Sequence, residues 1–365
     1  MEYKKKKRIV VAMSGGVDSS TVAALLHDEG HEVIGVTLQL YDAGEMASRT
    51  KACCAGQDIY DAQMAAQKIG IPHYVLNYES QFKQEVIENF ADSYLRGETP
   101  IPCVQCNQTV KFRDLLKVAK DLNADNLATG HYVQKYYVND KAQMHKGIDY
   151  IKDQSYFLFN TTQEQIDYLL FPLGGFYKSK TRALASSYGL EIANKPDSQD
   201  ICFVGNGSYS DVVSKIRPES LKKGGIIDKF GKVIGEHSGI VNYTVGQRRG
   251  IRVAGQRPLY VIKINQQDNT VVVGHEEDLY SDRLEIKDVN WLGEAKLLQG
   301  ESVRCEVKLR STHQGSAATI HYEPSIDRAI VKLDQAHKAI TKGRRHVLYI
   351  VVTGYWGGRL DLKCL

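Results

Sequence analysis

Seven residues near the start of the chain, SGGVDSS at positions 14–20, most constrain what this sequence can fold into. They directly follow the apolar run 9–12, and an amphipathic helix is predicted from Ser19 onward. Gly15 and Gly16 allow backbone amides to approach an anion closely, and the amino end of the helix directs a partial positive charge at that anion. The segment therefore predicts a strand, a phosphate-binding turn and a helix.

The side chains of this turn narrow the kind of phosphate site. The lysine of the Walker A pattern GxxxxGK[ST] is missing, which excludes the usual grip of a GTPase-like site. The hydroxyls of Ser14, Ser19 and Ser20 add donors, and the carboxylate of Asp18 is explained if Mg²⁺ bridges it to a polyphosphate. The alternative is an ordinary Gly/Ser turn that only joins a strand to a helix.

Apolar residues from position 8 to about 132 alternate between strand and helix patterns. This alternation predicts the α/β fold class, with a Rossmann-like parallel sheet covered on both faces and ligands at the carboxyl ends of its strands. Asn139 and Asp140 are typical of a hairpin tip. Strands are predicted over 8–13, 32–40, 73–78 and 126–130, and helices over 19–29, 57–69, 80–95, 109–121, 163–170 and 178–188.

Beyond residue 205 the pattern changes to short alternating runs separated by Gly, Asn and Asp, which predicts one or two small β domains. The net charge of +4 is unevenly placed, because residues 1–205 are net negative and the remainder is net positive. Basic groups gather at 214–223, 246–252 and 341–346. They suit a phosphate backbone, and solvated loops are the alternative.

Composition and cysteine usage exclude several classes of protein. The 365 residues are 42% hydrophobic and 25% charged, as in a globular protein with well-formed cores. No apolar run reaches about 18 residues, and the basic cluster 4–8 lacks the features of a signal peptide, so we expect a cytosolic protein with no membrane partner. Seven cysteines in that compartment predict metal ligands or reactive thiols rather than a disulfide framework.

Cys103 and Cys106 lie in a loop that contains two prolines and precedes a helix predicted from about Gln108. Asn107 is predicted as the N-cap of this helix, and a thiol at a helix amino terminus is favoured as a thiolate, hence as a nucleophile or ligand. A second C-x-x-C pair, which would indicate structural zinc, is missing, so zinc remains only an alternative.

Cys202 lies in a polar stretch with Asp197 and Asp200 that turns into an apolar tail. Such a stretch suits a mobile loop that delivers a reactive sulfur, and a buried strand cysteine is the alternative. Buried, structural or incidental roles are expected for the remaining cysteines, Cys53, Cys54, Cys305 and Cys364.

Six motifs follow one another along nearly the whole chain: SGGVDSS at 14–20, CN at 106–107, ATGHY at 128–132, KDQSYFL at 152–158, KPDSQDICF at 195–203 and YTVGQRRG at 243–250. Together they resemble the bacterial tRNA-specific 2-thiouridylases, a family of the pyrophosphate-loop ATP pyrophosphatases. The resemblance implies a catalytic domain at 1–205, a small central tRNA-contacting β domain at 206–277 and a C-terminal β-barrel at 278–365. It also implies ATP-dependent exchange of oxygen for sulfur at C2 of wobble uridine 34 in tRNA.

The resemblance implies that ATP and Mg²⁺ convert the C2 oxygen into an adenylate while the loop stabilises the departing pyrophosphate. No protein ligand for a metal is firmly assigned, and Asp18 is the candidate contact for Mg²⁺. The implied ATP-binding residues are Ala12, Met13, Ser14, Gly15, Gly16, Val17, Asp18, Ser19, Leu38 and Gly130.

Sulfur transfer is implied to pass through two cysteines. Cys202 would carry a persulfide, loaded by a sulfur-carrier protein or cysteine desulfurase relay, and Cys106 would be the nucleophile that helps release or transfer the sulfur. A transient disulfide between them would end the turnover, and a dithiol reductant would then reset the enzyme.

At position 103 this chain departs from the family, because Cys103 replaces an Asp that many members carry and that is proposed as acid or base. Either a thiol, with an ordinary pKa of about 8.5, serves that role, or the carboxylate is dispensable. A third reading makes Cys103, Cys106 and Cys202 the three ligands of an iron–sulfur cluster with an open iron.

The resemblance implies contacts with tRNA for a loop, a polar patch and a pair of residues near the carboxyl end. The wobble base must leave the anticodon stack to enter the pocket. At the last pair the family often has an aromatic after the arginine, whereas this chain has a serine. The implied tRNA-binding residues are Ile101, Pro102, Cys103, Lys152, Asp153, Gln154, Arg310 and Ser311.

Two other classes of protein remain open from the sequence. One is a different adenylating enzyme, which sulfurates another base or amidates a nucleotide. The other is a noncatalytic tRNA-binding protein with a vestigial nucleotide site, which the basic second half and Cys103 favour.

Overall fold

The computed structural model describes residues 5–41, 56–197, 201–204, 208–292, 302–323, 325, 328–338, 345–352 and 355–364. Cys53, Cys54 and Asp200 lie outside the described residues. The predicted domain limits of 1–205, 206–277 and 278–365 remain a prediction, since the first limit also falls in a segment outside them.

Five short strands in the first half form one parallel sheet with the order β3-β2-β1-β4-β7. The central strand is rich in Val and Ile because both faces of a parallel sheet are covered, and its interior residues are at most 1% exposed. An antiparallel hairpin, β5 and β6, turns at Asn139 and Asp140 as predicted. The strands are β1 (Arg8–Ala12), β2 (Glu32–Gln39), β3 (His73–Asn77), β4 (Asn126–Ala128), β5 (Val133–Val138), β6 (Lys141–Lys146) and β7 (Leu169–Leu170).

Helices cover both faces of this sheet. Val10 packs into one core with Phe82 and Phe90, whereas Ile9 and Val11 on either side of it pack into the other core. The helices are α1 (Val17–Asp28), α2 (Gly56–Ile69), α3 (79–95), α4 (102–121), α5 (Gln163–Tyr168), α6 (Lys178–Ser187) and α7 (Tyr209–Ile216), and short 3-10 turns cover Ser155–Leu158, Glu191–Asn194, Pro218–Leu221, Ile240–Asn242 and Glu276–Leu279.

The start of α4 corrects the sequence prediction. The helix begins at Pro102, whose fixed φ suits a first helical position, and not near Gln108. Asn107 is therefore no N-cap; it lies inside the helix and its side-chain amide donates to the carbonyl of Phe157 at 3.2 Å. Cys103 lies in the first turn and Cys106 in the second. A π-helical stretch, Asn107–Asp114, follows Cys106 directly, and such stretches are frequent at functional sites.

A four-stranded sheet with the order β10-β11-β8-β9 follows, and Ile226, Val261 and Val271 form its core. A closed antiparallel barrel with the order β12-β15-β14-β13-β16-β17 comes last. The predicted fold class is thus confirmed: a parallel α/β domain, a small β domain and a β-barrel. The strands are β8 (Gly224–Asp228), β9 (Val233–His237), β10 (Tyr260–Asn265), β11 (Thr270–Gly274), β12 (Tyr280–Trp291), β13 (Ser302–Lys308), β14 (Ser316–Glu323), β15 (Arg328–Lys338), β16 (Arg345–Val352) and β17 (Tyr355–Cys364).

Cys305 lies on β13 in the barrel core, and burial raises the pKa of its thiol to about 12. This agrees with a structural role. Among the described residues, no helix is both long enough and apolar enough to cross a membrane.

The barrel contacts the first domain through polar groups next to the 152–154 patch. The ammonium of Lys308 lies 3.1 Å from the carboxylate of Asp153, and both side chains are largely buried. The hydroxyls of Ser155 and Tyr349 are 2.6 Å apart, and Lys146 pairs with Glu306. These contacts fix where β13 ends relative to the parallel sheet.

Candidate active site

The loop after β1 is shaped by a left-handed glycine and by its own hydroxyls. Gly15 has φ +72°, and a Cβ there would lie 2.0 Å from the carbonyl oxygen of Asp58, so only glycine fits. The amide of Ser14 donates to Oγ of Ser19 at 3.1 Å, which folds the loop back on the first turn of α1. Gly16 occupies the N-cap position, so no side chain caps the first amides of α1, the groups with which a helix amino terminus binds an anion.

The predicted nucleotide contacts converge at this edge of the sheet. A Cβ on Gly130 would lie 2.8 Å from the amide nitrogen of Ser19, so the loop after β4 touches the start of α1. Leu38 is at the carboxyl end of β2, next to β1 in the sheet. The chain leaves β1 and β4 in opposite directions at this point, where open α/β sheets bind their ligands.

The donor set fits a polyphosphate. Ser14 is exposed at the mouth of the loop, while Ser20 is fully buried and its hydroxyl has no hydrogen-bond partner within the described part of the chain. Glycine amides, a helix amino terminus and serine hydroxyls are the groups that bind phosphate oxygens without a lysine inside the loop. Binding of ATP by the residues named from the sequence remains a prediction.

The positive charge that the loop lacks comes from Lys178, the first residue of α6. Its Nζ lies 2.7 and 2.8 Å from the two carboxylate oxygens of Asp18 and 2.9 Å from Asp197. The Tyr132 hydroxyl also donates to Asp18 at 2.8 Å, and burial together with that carboxylate raises the tyrosine pKa far above its ordinary value. Asp18 therefore already has a cation and a neutral donor as partners.

Asp197 is the centre of a cationic cluster. It accepts from Lys152 at 2.8 Å and from Arg182 at 3.0 Å in addition to Lys178. Burial opposes ionisation of this carboxyl, but the hydrogen bonds from Lys152 and Lys178 outweigh it and hold its pKa below the ordinary value. The cluster joins the 152–154 patch to the phosphate loop.

Lys195 forms a second ionic contact with the loop. Its Nζ donates to the carbonyl of Gly15 at 3.0 Å and to the carboxylates of Asp58 and Asp61 on α2. Burial opposes protonation of Lys195, but these two carboxylates raise its pKa above the ordinary value. Lys195 therefore stays charged and links the phosphate loop to α2.

Cys106 and Cys202 pack against the same core. Cys106 is 7% exposed inside it, and Cys202 is partly buried against it. Phe203, next to Cys202, is buried and makes edge contacts with Phe82 and Phe90 at centroid distances of 5.9 and 5.2 Å. Cys103, in contrast, is exposed.

The three thiols do not form a metal site in this structure. Within the described ranges, no three His, Cys, Asp or Glu side chains lie close enough together to hold a metal ion. The Cys106–Cys202 disulfide is not formed here.

The predicted tRNA contacts lie in different environments. Arg310 and Ser311 are exposed at the end of β13, and Lys152 is partly exposed. The side chain of Asp153 is almost fully buried, and its carboxylate accepts from Lys308 and from the hydroxyl of Ser155. Gln154 accepts from the amide of Tyr132 at 3.0 Å. Ile101 is partly buried and Pro102 is buried.

Several of these residues were given no role from the sequence, although Tyr132 and Lys195 lie in the motifs ATGHY and KPDSQDICF. They are Asp58, Asp61, Tyr132, Lys178, Arg182 and Lys195. A basic residue at the start of the predicted helix 178–188 is a usable signal for Lys178, because α/β domains place helix starts at the ligand edge of the sheet. Asp58 and Asp61 give no comparable signal. His131, also in ATGHY, was likewise given no role; burial lowers its pKa to about 3, and its Nδ1 lies 2.9 Å from the hydroxyl of Thr129.

Fold and site together define an α/β enzyme of the HUP-domain class with two appended β domains. Models of a "tRNA methyl transferase HUP domain", a "tRNA methyl transferase PRC-barrel domain" and an "Aminomethyltransferase beta-barrel domain" match residues 7–206, 210–275 and 281–354. The chain is 56% identical over 355 residues to a tRNA-specific 2-thiouridylase MnmA of Rickettsia africae, covering 96% of this chain and 97% of the relative. It is 59% identical over 345 residues to that of Rickettsia canadensis, covering 94% and 93%. The chain belongs to the tRNA-specific 2-thiouridylase family.

Proposed function

We propose that this protein is an ATP-dependent tRNA sulfurtransferase that forms 2-thiouridine at wobble position 34, with AMP and pyrophosphate as the other products. The observation that carries the proposal is the combination of a phosphate loop served by Lys178 with two cysteines, Cys106 and Cys202, on one core. Family membership supports the substrate class.

In the first step the uridine C2 oxygen attacks the α-phosphorus of ATP, and pyrophosphate leaves. The loop amides and Lys178 stabilise the charge that grows on the leaving group. Mg²⁺, when it is bound with ATP, supplies further neutralisation of the phosphates. Tyr132, kept neutral by burial, holds the carboxylate of Asp18 in place throughout.

In the second step the terminal sulfur of a Cys202 persulfide attacks C2, and AMP leaves with the original oxygen. The Cys106 thiolate then attacks the sulfur of Cys202, so the S–S bond to the base breaks and 2-thiouridine departs. A Cys106–Cys202 disulfide remains, and a dithiol supplies the two electrons that reduce it. The proposed partners are tRNA and a protein that donates persulfide sulfur, and the requirement for a reductant suits the cytosol.

The proposed tRNA interface comprises 101–103, 152–154 and 310–311. Arg310 is exposed, and the side chain of Lys152, which pairs with Asp197, is partly exposed. Both cations suit the phosphates of an anticodon arm, and the basic stretches of the β domains would extend the interface along the backbone. For Asp153 we propose a positioning role, since its carboxylate is bound to Lys308.

The test is an anaerobic thiolation assay with purified protein, unmodified tRNA, Mg-ATP and a persulfide donor. Wild type is compared with Cys103→Ala, Cys106→Ala and Cys202→Ala, and iron is measured on the same samples. We expect thiolation without iron, and loss of it in Cys106→Ala and Cys202→Ala. If activity follows iron content and is lost in all three variants, the persulfide route is wrong and the three cysteines are ligands of an iron–sulfur cluster.

Two further readouts address the other classes of protein. Pyrophosphate release stimulated by cognate tRNA excludes a noncatalytic binding protein. Mass analysis of nucleosides from a deletion strain separates a 2-thiouridylase from another adenylating enzyme. Only the deletion of a 2-thiouridylase leaves position 34 of the tRNA without 2-thiouridine.

A further inference from the structure

A tight turn at 149–152 holds two large apolar residues out in solvent. The amide of Lys152 donates to the carbonyl of Asp149 at 3.0 Å, which closes a β-turn with Tyr150 and Ile151 at its centre. Tyr150 is 81% exposed and Ile151 is 73% exposed, which places both among the most exposed large apolar residues in the described part of the chain. Turn centres favour small or polar residues, so the turn itself does not explain this apolar pair, Tyr150 and Ile151.

Two aspartates, Asp149 and Asp153, fix the backbone of the turn. Asp149 is 8% exposed, and its carboxylate accepts from the amide of Lys178 at 2.9 Å and from that of Lys152 at 3.3 Å. The carboxylate of Asp153 accepts from the amide of Gly147 at 3.1 Å. Because both ends of the turn are bound, the apolar pair is presented on a preorganised backbone, which lowers the entropic cost of binding a ligand.

The same contacts place the turn between the nucleotide site and the barrel. Lys178, whose amide is bound by Asp149, also pairs through its Nζ with Asp18 at the start of α1. On the other side of the turn, Asp153 pairs with Lys308 at the carboxyl end of β13. The turn therefore lies where the proposed RNA interface reaches the nucleotide site, the place that an extruded wobble base has to enter.

The groups around the apolar pair match the chemistry of single-stranded nucleic acid. Lys152 is partly exposed and Arg310 is exposed, whereas the side chains of Asp149 and Asp153 are largely buried and accept from backbone amides. An exposed aromatic ring next to cations is the combination that binds unpaired nucleotides, with the ring against a base and the cations near the phosphates. Unpaired nucleotides are thus the occupant that this surface fits.

We propose that Tyr150 stacks on an unpaired base of the anticodon loop next to the wobble position, with Ile151 packed against the same base. The inference deepens the proposed function and rests on it, since it takes tRNA as the substrate. When the wobble uridine leaves the anticodon stack, a neighbouring base loses its partner on one face, and the ring of Tyr150 replaces the lost stacking. The turn then favours the conformation of the loop in which the uridine is extruded.

The test is a double-mutant cycle between Tyr150 and the bases on either side of the wobble position. Equilibrium binding by the full-length protein is measured with unmodified tRNA and with tRNAs that carry one abasic nucleotide at position 33 or 35. Wild type is compared with Tyr150→Ala and with Tyr150→Phe, which keeps the ring. The matched control is Tyr137→Ala, which removes a tyrosine that is 59% exposed on β5, outside the proposed interface.

We expect Tyr150→Ala to weaken binding of unmodified tRNA by about tenfold or more, the usual effect of losing a stack between a base and an aromatic ring. Tyr150→Phe and Tyr137→Ala should bind as wild type does. At one of the two positions, an abasic nucleotide should weaken binding to wild type by a similar factor and should cost nothing further in Tyr150→Ala. If both abasic tRNAs lose as much affinity for Tyr150→Ala as for wild type, the stacking is wrong.

Thiolation by wild type, measured with the same tRNA, separates the two levels of inference. If wild type thiolates tRNA and Tyr150→Ala binds it equally tightly, the stacking is wrong while the proposed function stands. If Tyr150→Ala instead needs a higher concentration of the persulfide-donating protein, the turn contacts that protein and the proposal is likewise wrong. If wild type neither binds nor thiolates tRNA, the proposed function fails, and the stacking fails with it.

Discussion

Lys178 lies between two carboxylates at the mouth of the phosphate loop, where one ammonium group serves both the fold and the proposed chemistry. Its ion pair with Asp18 lies at the start of α1, and its ion pair with Asp197 holds the segment 195–197 at the same place. Because the leaving pyrophosphate gains charge in the transition state, a cation in this place contributes most when the P–O bond is broken.

Replacing Lys178 by Met should lower the rate of tRNA-stimulated pyrophosphate release by about 100-fold, since removal of one group that stabilises developing charge costs about 10²–10³ in rate. Lys180→Met is the matched control. That lysine lies two residues along the same helix and its Nζ is 3.9 Å from the centre of the Phe176 ring. Comparable losses in both variants would contradict a specific role for Lys178.

His131 should make the stability of the first domain depend on pH. Burial lowers its pKa to about 3 in the folded protein, whereas the unfolded chain titrates near pH 6.5. Between these values the unfolded state binds the extra proton, so stability is complete above about pH 6.5 and falls with decreasing pH, by at most about 1.4 kcal/mol per unit.

Urea unfolding of the first domain at pH 7 and pH 5 checks this expectation. The loss of stability on acidification should be smaller in His131→Asn than in wild type, since asparagine does not titrate. An equal loss in both proteins would assign the pH dependence to other groups.

At the scale of elements, the site depends on how closely the loops after β1 and β4 approach each other. Gly130 lies against the backbone of Asp18 and Ser19, so the loop that carries ATGHY and the amino end of α1 form one surface. At position 130 only the hydrogen atom of a glycine fits against the start of α1. The nucleotide contacts predicted for both loops therefore depend on this packing.

Gly130→Ala should weaken binding of ATP by about tenfold or more and destabilise the domain by about 1–3 kcal/mol, because its Cβ would force the start of α1 to shift. Gly175→Ala provides the comparison, since a Cβ there meets nothing within 4 Å. Isothermal titration with Mg-ATP measures the affinity. Unchanged affinity in Gly130→Ala would show that this close approach does not shape the site.

Elements could be predicted from the sequence where one local pattern decides them. The run from Ile9 to Ala12 and the glycines after it defined β1, the loop and α1, because burial on two faces and a left-handed turn both limit the residues allowed. The start of α4 was predicted wrongly. Asn107 has a side chain that is typical of an N-cap, but its side-chain amide donates instead to the carbonyl of Phe157, fifty residues further along the chain.

The ionic contacts of the site could not be predicted in the same way. Asp18 and Lys178 are 160 residues apart, and Lys195 is 137 residues from Asp58. Acidic residues in first turns are common on ordinary surfaces. The position of Lys178 at a helix start indicates the ligand edge of the sheet, but only the three-dimensional structure shows which carboxylates it meets.

At the scale of the whole molecule, the barrel is attached to the first domain beside the proposed RNA interface. The pair of Asp153 and Lys308 is almost excluded from water, and Arg310 follows two residues after Lys308. The position of Arg310 and Ser311 relative to the pocket is thus set by a contact between domains, not by the barrel alone.

Lys308→Met should loosen this contact, because within the described part of the chain it leaves the buried carboxylate of Asp153 with neutral partners, the hydroxyl of Ser155 and backbone amides. We expect hydrogen exchange of the amides in 153–159 and 302–308 to become about tenfold faster or more, which corresponds to an opening free energy lower by about 1.4 kcal/mol. KM for tRNA should rise, while affinity for ATP stays as in wild type.

Arg304→Met is the control that tests whether loss of a different cation on β13 also accelerates hydrogen exchange. Arg304 pairs with Asp334 on the surface of the barrel, and both side chains are about half exposed, so its loss should leave exchange at 153–159 unchanged. If Lys308→Met and Arg304→Met exchange alike, the pair of Asp153 and Lys308 does not hold the domains together. If exchange accelerates in Lys308→Met without a change in KM, the barrel's position does not matter for binding tRNA, and Arg310 and Ser311 would then lie outside the interface.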